Sequence, residues 1–566
     1  MKYSKLFVKT SKETPTNENA KNAQLLIRAG FIKKEMAGVY SFLPMGLRVL
    51  RKISNIVREE MDNIGAQEIL MPALSPKENW EKTGRWDTVD VLYKMELSEN
   101  KEIALAPTHE DLVTPLVQQF CRSHKDFPVC VYQIQSKFRK EPRAKSGLLR
   151  GREFLMKDAY SFHTSQEDFE AYYEIQRKAY KHIFERLGIG DITIYVAASG
   201  GDFSKFSHEF QTLSEIGEDE IFIDSVTKEA FNKEIAQGIP DDKNSKDSLK
   251  DLQTVETTRN NSIQESVDFY NIPSWQVLKT IVFSTESNQL IGACIRGDLE
   301  VNEILLQDLV EEKIHPANET QLKENNLIKG FISPINKPKG LNIIYGDESL
   351  KTVKNLNTGA NEFQKDYLNA NLERDFTIDT WGNFAVPTKN FKSLNNNPLE
   401  IKKAVEVGNI FPLSTKFTDA FNFKVVDESG KEKSVIMGCY GIGVSRIMGI
   451  LAELFADEKG LIWPKSVAPF QIYLAAIGKK DEVYTKAEKL YQKLQTANVE
   501  VFYDDRRNKK IGPGQKFKDH ELFGIPTRVL LSEKSLEDSF VEVTDRKSGE
   551  MQKIKIDNLL NFITTL

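Results

Sequence analysis

Cysteine is scarce in this sequence: only 4 of the 566 residues are cysteine. Cys121, Cys130, Cys294 and Cys439 are widely spaced, form no Cys-x-x-Cys pair and have no histidine at zinc-ligand spacing. A disulfide framework and a structural zinc site both need cysteines grouped at short, defined spacings. The pattern therefore predicts four free thiols and no structural zinc.

Long apolar runs and an excess of charge of one sign are also missing. No segment approaches the roughly 18 apolar residues of a membrane span, and the N-terminal stretch lacks the apolar core of a signal peptide. With 77 basic and 82 acidic side chains, the formal charge is −5, which excludes bulk, histone-like binding of nucleic acid. We expect a cytoplasmic protein with no membrane partner, and local basic patches as the sites for any nucleic acid.

The composition and the hydrophobic pattern of the sequence change along the chain and indicate several domains. Strand and helix patterns alternate up to about residue 224, and residues 47–64 have the apolar spacing of an amphipathic helix. The polar segment 240–262 predicts a linker into a separate α/β module. Strands return after Val405 and need the early strands as partners, so the middle module is predicted to be an insertion. A further α/β domain of about 95 residues ends the chain.

The sequence FRKE at 138–141, followed by RGREF at 150–154, is the first segment with chemical interest. Apolar alternation on both sides predicts two antiparallel strands, which would place Arg139 and Glu141 on one strand face. An arginine suits phosphate, a carboxylate accepts from an exocyclic amine, and an aromatic ring covers a base. These residues fit a nucleotide site, but a surface salt-bridge ladder explains them equally well.

A glycine-rich strand enters a helix at MGCYGIGVSRIM, residues 437–448. Glycine at such a junction lets the backbone approach a ligand or another element closely, and Arg446 is predicted in the first turns of the helix. The GxGxxG spacing of a dinucleotide site is absent. Tight strand–helix packing is the alternative explanation.

The third segment is APTHE at 106–110. Thr108 and Glu110 can present a hydroxyl and a carboxylate to a ligand that carries an ammonium group. The alternative is a helix N-terminus, with Thr108 as the cap and the acidic residues Glu110 and Asp111 favoured by the helix dipole.

In this order, the predicted helix and strand ending at Pro72, FRKE and the glycine-rich junction resemble the three motifs of class II aminoacyl-tRNA synthetases. With GGDFSKFSHEFQ and the C-terminal DDRRNKKIGPGQKFKDHELFGIP, they resemble the bacterial-type prolyl-tRNA synthetases over nearly the whole chain. The resemblance implies an α/β (α+β) fold with an antiparallel-sheet catalytic domain, an inserted α/β editing-type domain and a C-terminal α/β anticodon-binding domain. The implied boundaries are 1–223 and 408–468 for the catalytic domain, 224–407 for the insertion and 469–566 for the last domain.

The resemblance also implies a function. Members of this family activate proline with ATP and Mg²⁺ and transfer the prolyl group to tRNA(Pro), and they form homodimers through the first motif. A core helix within one chain is the alternative for that motif. Another class II synthetase of the same subgroup and a catalytically inactive tRNA-binding paralogue are the alternatives for the whole chain.

Roles for individual residues follow from the resemblance. Arg139 and Arg446 are the catalytic arginines, and Glu406 is implied near magnesium. The implied proline site comprises Thr108, Glu110, Arg139, His163 and Cys439, with His208 in a matched segment. The implied ATP site comprises Arg139, Glu141, Arg150, Phe154, Glu406 and Arg446. The implied tRNA contacts are Arg506, Arg507, Lys509, Lys510 and Lys516. A packed wall position stays open for the two histidines and Cys439, a solvated face stays open for the basic run, and His109 is expected to be scaffold.

The inserted module resembles an editing domain that hydrolyses alanyl-tRNA(Pro). Editing has a physical reason. A pocket that fits proline discriminates against a smaller amino acid by only ~1–3 kcal/mol, the binding energy of the missing methylene groups. The matching residues are Lys279, Asp347 and Gly359, whereas Asp366 stands where a histidine is expected and Ser333 departs from a glycine-rich loop. These departures leave two expectations open: an editing module with altered selectivity, or an insertion that keeps its fold and edits poorly. In the core, Asn409, Pro412 and Ser414 also depart from the family pattern.

Overall fold

The computed structural model describes residues 1–99, 101–427, 430–507 and 511–565. They form two compact units. Unit 1 comprises Met1–Ile194, Asp202–Ser214 and Val405–Leu566, and unit 2 comprises Tyr195–Gly201 and Glu215–Ala404. The predicted insertion, 224–407, overlaps unit 2, and the division into four functional domains stays a prediction.

Unit 1 is a mixture of helices and strands. Its helices are Lys21–Arg28, Pro44–Asn63, Lys77–Lys82, Glu110–Phe120, Gln166–Arg186, Lys416–Ala420, Val444–Leu454, Asp481–Thr496, Pro513–Phe523, Glu533–Glu537 and Leu559–Thr564. Its strands are Ile32–Met36, Val39–Phe42, Gln67–Glu68, Leu74–Pro76, Tyr93–Ser98, Lys101–Leu105, Val129–Phe138, Glu153–His163, Phe206–Leu213, Lys424–Val426, Glu432–Ser434, Ile436–Ile442, Ile472–Ile477, Val501–Asp504, Thr527–Ser532, Phe540–Asp545 and Met551–Lys555. The strands Thr193–Ser199 and Leu399–Ser414 contain boundaries between the units.

The predicted amphipathic helix is Pro44–Asn63. Proline stands in its first turn, where a missing amide hydrogen costs no helical bond. Ile53, Val57 and Met61 of its apolar stripe are fully buried within the single chain. This burial agrees with the core-helix alternative, so the stripe itself is not a free surface for a second subunit.

An antiparallel sheet carries the site in unit 1. Ile436–Ile442 lies between Glu153–His163 and residues 408–414 and is antiparallel to both. Glu153–His163 is also antiparallel to Val129–Phe138, which runs parallel to Gln67–Glu68. The antiparallel catalytic sheet that the resemblance implied is confirmed.

The C-terminal part of unit 1 has its own five-stranded sheet, in the order Val501–Asp504, Ile472–Ile477, Thr527–Ser532, Phe540–Asp545 and Met551–Lys555. The first three strands are parallel to one another and the last two are antiparallel additions. Alternating strand and helix patterns predicted an α/β domain here, without its strand directions. The final strand, MQKIK, is short and mostly exposed, so it carried no apolar signal.

Unit 2 also mixes helices and strands. Its helices are Ile263–Tyr270, Glu303–Val310 and Glu319–Glu324. A five-stranded sheet has the order Ile314–Pro316, Leu278–Thr285, Leu290–Arg296, Ile343–Asp347 and Thr380–Gly382, and a three-stranded sheet has the order Gln253–Glu256, Lys365–Ala370 and Leu356–Gly359. Asp219–Asp224 pairs with Ala230–Asn232 and with residues 399–404.

The linker predicted at 240–262 is wrong, because these residues are part of unit 2. The carboxylate of Asp241 pairs with Arg296, the amide of Asn244 donates to the Lys354 carbonyl oxygen (3.1 Å), and Arg259 is buried. Polar side chains can order a segment when their hydrogen bonds reach the backbone of neighbouring elements. The low hydrophobicity of a segment therefore does not by itself distinguish a linker from a segment that hydrogen bonds hold in place.

Candidate active site

The FRKE segment ends the first strand of a hairpin between Val129–Phe138 and Glu153–His163. The backbone amide of Arg139 donates to the Arg152 carbonyl oxygen (2.9 Å). Its guanidinium lies over the Phe154 ring, with Cζ 5.1 Å from the ring centre. The hairpin therefore presents a cation and an aromatic ring at one place, as a nucleotide site requires.

The glycine-rich segment forms the predicted junction between Ile436–Ile442 and the helix Val444–Leu454. At Gly438, an added Cβ would lie 2.3 Å from the Tyr440 hydroxyl oxygen, so no larger residue fits without a shift. Close packing therefore explains this glycine.

Arg446 lies in the first turn of that helix, and its guanidinium is held on two sides. Nη1 donates to the carbonyl oxygen (2.7 Å) and to Oε2 (3.0 Å) of Glu406, and Nε donates to the Leu149 carbonyl oxygen (2.8 Å). These bonds fix the orientation of the charge before any ligand arrives.

A cavity of about 160 Å³ brings the two arginines together. Seven of the predicted residues line it: Thr108, Glu110, Arg139, Phe154, Glu406, Cys439 and Arg446. Burial and the neighbouring Arg446 guanidinium lower the pKa of Arg139, while the carboxylates of Glu406, Glu141 and Glu110 act in the opposite direction. The two guanidiniums therefore repel each other within one cavity, and an anionic ligand placed between them can offset this repulsion.

Glu110 is fully buried, and each of its carboxylate oxygens has a neutral donor. The Thr108 hydroxyl donates to Oε2, and the Cys439 thiol donates to Oε1 (3.1 Å). The helix Glu110–Phe120 is capped at His109, with no side-chain hydrogen bond from Thr108 to the backbone. The alternative in which Thr108 caps this helix is therefore wrong, and its hydroxyl belongs to the cavity.

A buried network under the cavity was missed in the sequence. Lys137 Nζ lies 2.7 Å from Asp158 Oδ1 and 2.7 Å from His109 Nδ1, and Tyr160 donates its hydroxyl to Asp158 Oδ2 (2.9 Å). Burial and the charge of Lys137 lower the pKa of His109 to about 4, so this imidazole is neutral at pH 7, as a scaffold residue. The signal in the sequence that could have indicated this network was Lys137, a lysine on the face of an otherwise buried strand.

Glu141 and Arg150 pair with each other away from the residues that line the cavity. Arg150 Nε donates to Glu141 Oε2 (2.9 Å), and half of the Arg150 side chain is exposed. The salt-bridge alternative therefore describes these two residues in this structure.

His163 and His208 also lie outside the lining of this cavity. His163 is fully buried, with Nδ1 2.6 Å from Asp168 Oδ2, and burial lowers the pKa of its imidazole. Nδ1 of His208 lies 2.9 Å from the Tyr173 hydroxyl oxygen. Both are packed side chains, as the alternative proposed.

The three residues of the catalytic core that depart from the family pattern lie in different places. Asn409 lines the cavity, with Nδ2 3.4 Å from Glu209 Oε1. Pro412 and Ser414 flank an irregularity in strand register, where Ser414 has a positive φ of 53°. The last two residues therefore shape the strand, and only Asn409 can reach a ligand.

Magnesium has a limited set of candidate ligands here. In the part of the chain that the structure describes, no group of three or more His, Cys, Asp or Glu residues is placed to hold a metal ion. Glu406 contributes one carboxylate at the cavity. This donor set fits Mg²⁺, which is commonly held by one or two carboxylates together with substrate phosphates.

Unit 2 contains a separate cavity of about 400 Å³, lined by Lys279, Gly359 and Asp366 among others. Lys279 is half-buried, burial lowers the pKa of its ammonium group, and Nζ donates to the Leu299 carbonyl oxygen (2.5 Å). At Gly359, an added Cβ would lie 2.2 Å from the Phe331 backbone, so the close approach of the Phe331 segment to the strand Leu356–Gly359 requires glycine.

Asp366 is buried in an ion pair. Arg259 donates through Nε to Oδ2 (2.7 Å) and through Nη2 to Oδ1 (2.5 Å), and the Tyr270 hydroxyl donates to Oδ2 (2.9 Å). The Arg259 guanidinium also lies over the Phe331 ring, with Cζ 4.4 Å from its centre. The acid at this position is therefore compensated by a cation from another segment.

Asp347, in contrast, does not line this cavity. Its Oδ1 accepts from the Ser349 amide (2.9 Å), and its Oδ2 accepts from the amides of Phe384 (2.9 Å) and Ala385 (2.8 Å). Asp347 therefore organises the backbone of unit 2.

The predicted tRNA contacts divide into internal and exposed residues. Arg506 pairs with Asp504 and Asp519, and Lys516 is buried with Nζ donating to the Ala476 carbonyl oxygen (2.9 Å). Arg507 is exposed and lines a cavity of about 630 Å³ that Lys516 also reaches. Lys509 and Lys510 lie outside the described residues.

Within the described residues, no helix is both long enough and apolar enough to cross a membrane. All four cysteines are free.

Residues 93–455 match the family model of the "tRNA synthetase class II core domain (G, H, P, S and T)", and residues 471–566 match the "Anticodon binding domain". The chain is 39% identical to a proline–tRNA ligase of Listeria monocytogenes, over 100% of this chain and 99% of that protein. It is also 39% identical to the corresponding ligase of a Geobacillus species, over 100% of both chains.

Solved structures give the same fold. A prolyl-tRNA synthetase from Cryptosporidium parvum in complex with halofuginone and AMPPNP has a TM-score of 0.57 at 15% identity, over 96% of this chain and 76% of that one. A second structure of that protein, with L-proline and AMP, also has a TM-score of 0.57, over 98% of this chain and 76% of that one. At this identity the likeness concerns the fold alone.

Proposed function

Since this chain belongs to the class II aminoacyl-tRNA synthetases, and within them to the proline–tRNA ligases, we propose that the cavity of unit 1 activates proline with ATP. The enzyme forms prolyl-adenylate and transfers the prolyl group to tRNA(Pro). One observation carries the assignment of the site: Arg139 and Arg446, from segments far apart in sequence, line the same cavity as the buried carboxylate of Glu110.

Activation requires two anions to meet. A carboxylate oxygen of proline attacks the α-phosphorus of ATP, the bond from that phosphorus to the bridging oxygen breaks, and pyrophosphate leaves with the electron pair. Arg139 and Arg446 offset the repulsion between the reactants and the charge that grows in the transition state. No side chain acts as a covalent nucleophile, so positioning and electrostatics supply the rate.

Glu110 and Thr108 hold the amino group of proline. The secondary ammonium of proline has two N–H donors, and the buried Glu110 carboxylate is an acceptor at the cavity wall. Cys439 donates to that carboxylate and closes the same wall. The ammonium and carboxylate of the amino acid are thereby fixed at two points, which orients the carboxylate toward the phosphate.

Phe154 stacks on adenine, and Glu141 accepts from the exocyclic amino group of adenine. Arg139 already covers one side of the Phe154 ring, so the ring is held before ATP binds. Arg150 would leave Glu141 and move to the triphosphate, since its exposed side chain has the freedom to do so. Glu406 would hold Mg²⁺, which supplies further neutralisation of phosphate charge when bound.

A homodimer in the cytoplasm is the assembly and location that we propose. Leu70, Leu74 and Leu97 are exposed apolar side chains on the segments that follow the helix Pro44–Asn63. Exposed apolar groups of this kind are suited to an interface with a second copy of the chain. Arg507 is the described residue that we propose for contact with tRNA, because about half of its side chain is exposed and its partner, Asp481, is itself an exposed carboxylate that a phosphate can replace.

Pyrophosphate exchange into ATP, measured with each amino acid in turn, tests the proposal. Proline should support exchange, whereas threonine, serine, glycine and histidine should not. The Glu110→Gln variant keeps an acceptor and loses the charge that pairs with the ammonium, so we expect KM for proline to rise about 30- to 300-fold with KM for ATP unchanged. Exchange that depends on another amino acid, or no exchange with any, contradicts the proposed specificity.

Hydrolytic editing of alanyl-tRNA(Pro) is a second activity that we propose, located in unit 2. A cavity of about 400 Å³ contains Lys279, whose ammonium group can bind an ester or phosphate oxygen of the tRNA end. Arg259 neutralises the negative charge of Asp366, the residue that stands where a histidine was expected. The cavity therefore keeps a cation for the substrate despite the departure.

Replacement of Lys279 by alanine should remove editing and spare aminoacylation. We expect deacylation of alanyl-tRNA(Pro) to slow by at least about tenfold, because a charge-assisted contact to the ester end is lost. Lys313→Ala changes the same charge at an exposed position of unit 2 and serves as the matched control. Equal deacylation by the Lys279 variant and the original enzyme would discard this assignment.

A further inference from the structure

Arg85 is a buried arginine of unit 1 that none of the three motifs contains. Only 5% of the residue is exposed, and its guanidinium is surrounded by aromatic rings. Cζ lies 5.1 Å from the ring centre of Trp80, 5.0 Å from that of Phe203 and 5.2 Å from that of Phe417. Three rings around one guanidinium hold the cation in place without taking up its hydrogen-bond donors.

Two neighbouring carboxylates share this cation unequally. Arg85 Nη1 lies 2.6 Å from Asp111 Oδ2, a hydrogen-bonded ion pair, but 3.7 Å from Glu110 Oε2. Arg85 Nε is buried with no hydrogen-bond partner. Asp111 is itself fixed by the Thr83 hydroxyl, which donates to Oδ1 (2.6 Å).

The unequal sharing has a consequence for Glu110. A direct ion pair with arginine would occupy the carboxylate lone pairs that the ammonium group of a ligand needs, whereas a cation a little farther away leaves them open. Because Asp111 draws the guanidinium to itself, Glu110 has positive charge close by and no arginine hydrogen bond. Its remaining lone pairs are available to the amino group of an amino acid.

Arg85 also supports a wall of the cavity. The Phe203 ring that it contacts lines the cavity and packs against Phe411, with ring centres 5.0 Å apart. Arg85 therefore lies behind two different parts of the proline site, the carboxylate and an apolar wall.

We propose that Arg85 is a positioning residue for proline recognition, which places positive charge beside Glu110 without a hydrogen bond that would occupy the lone pairs of that carboxylate. The proposal rests on the proposed role of Glu110 in binding the proline ammonium. It assigns no contact between Arg85 and the substrate.

The test separates this role from the ion pair that Arg85 forms with Asp111. Arg85→Met alone leaves Asp111 buried without its cation, which can prevent folding. The variant of choice is therefore Arg85→Met combined with Asp111→Asn, because asparagine still accepts from Thr83, and it is compared with the original enzyme, since Asp111→Asn alone would release Arg85 to pair with Glu110. Relative to the original enzyme, we expect KM for proline in pyrophosphate exchange to rise about 10- to 100-fold, with KM for ATP within about twofold.

A ligand without an ammonium group gives the second readout. Tetrahydrofuran-2-carboxylate has the ring and carboxylate of proline but no ammonium group. Its inhibition constant should agree within about twofold between the double variant and the original enzyme, because it makes no charge pair with Glu110 and methionine is large and apolar enough to keep packing against Phe203. Arg85→Lys with Asp111 intact keeps a cation and should keep KM for proline within about fivefold of the original enzyme.

Each outcome decides the proposal. An unchanged KM for proline in the double variant overturns it, and so does an equal loss of proline and tetrahydrofuran-2-carboxylate affinity, which would show general loosening of the site. If the double variant does not fold, the Arg85→Lys variant decides the proposal instead. A KM for proline in Arg85→Lys as high as that in Glu110→Gln overturns the proposal. An unchanged KM for proline in Glu110→Gln would instead remove the proposed ammonium site itself.

Discussion

Arg139→Ala should lower proline-dependent pyrophosphate exchange by at least about a thousandfold, the largest effect expected for one side chain of this enzyme. The guanidinium lines the cavity with Arg446 and lies over the Phe154 ring, so its removal takes away charge and also loosens the ring beneath the adenine. Lower kcat with a smaller change in KM for proline is the expected pattern, since the charge is needed most in the transition state.

Two further variants define the cause of that loss. Arg139→Lys keeps the charge but not the planar pair of donors, and we expect it to recover only about a tenth or less of the original rate. Arg122→Ala removes an exposed arginine ahead of the same hairpin and should leave exchange within about twofold. Exchange by Arg139→Ala within tenfold of the original would contradict the assignment of this cavity as the activation site.

Motif order predicted much of the cavity. The end of the hairpin strand before Arg139, the helix start at Thr108 and Glu110, and the helix start carrying Arg446 line one cavity as expected. The antiparallel sheet brings the segments of Arg139 and Arg446 side by side. Residue type also indicated chemistry: a carboxylate for an ammonium, a guanidinium for a phosphate. These inferences needed only the local pattern and the family order.

The partners of buried charges were not predictable in this way. Lys137 and Asp158 lie on adjacent strands and their pairing depends on register, and Arg85 reaches its aromatic rings only in the folded unit. Arg506 was expected at the surface because it stands in a basic run, yet it pairs with Asp504 and Asp519. Sequence shows that a side chain is charged, whereas burial beside an opposite charge is decided by distant segments.

Asp366 shows how a departure from a family pattern is accommodated. An acid in place of histidine at a cavity would leave an unpaired buried charge, which is costly. Here Arg259 arrives from the segment predicted as a linker and binds both carboxylate oxygens. The error about the linker and the doubt about Asp366 thus have one cause, since the segment was not seen as the source of the compensating charge.

Asp366→His is therefore expected to destabilise unit 2, although it introduces the residue that the family pattern calls for. The change leaves Arg259 buried without its carboxylate, and breaking a buried pair in this way costs about 3–5 kcal/mol. We expect amide hydrogen exchange in the strands of unit 2 to accelerate by at least about a hundredfold, because each 1.4 kcal/mol corresponds to about a factor of ten. Exchange in unit 1 reports whether the effect is confined to unit 2.

A double replacement decides whether the unpaired cation is the cause. Arg259→Met with Asp366→Leu removes both charges and keeps apolar side chains beside Phe331 and Tyr270, and neutral replacement of a buried ion pair is often tolerated. Most of the protection lost in Asp366→His should return in this variant, while the deacylation of alanyl-tRNA(Pro) need not. If the histidine variant keeps the original protection, the ion pair is not what stabilises this position. If the apolar pair restores protection but not deacylation, the two charges have a role in substrate binding that is separate from their role in folding. Folding requires only that neither charge is left buried without a partner, and the apolar pair meets that requirement.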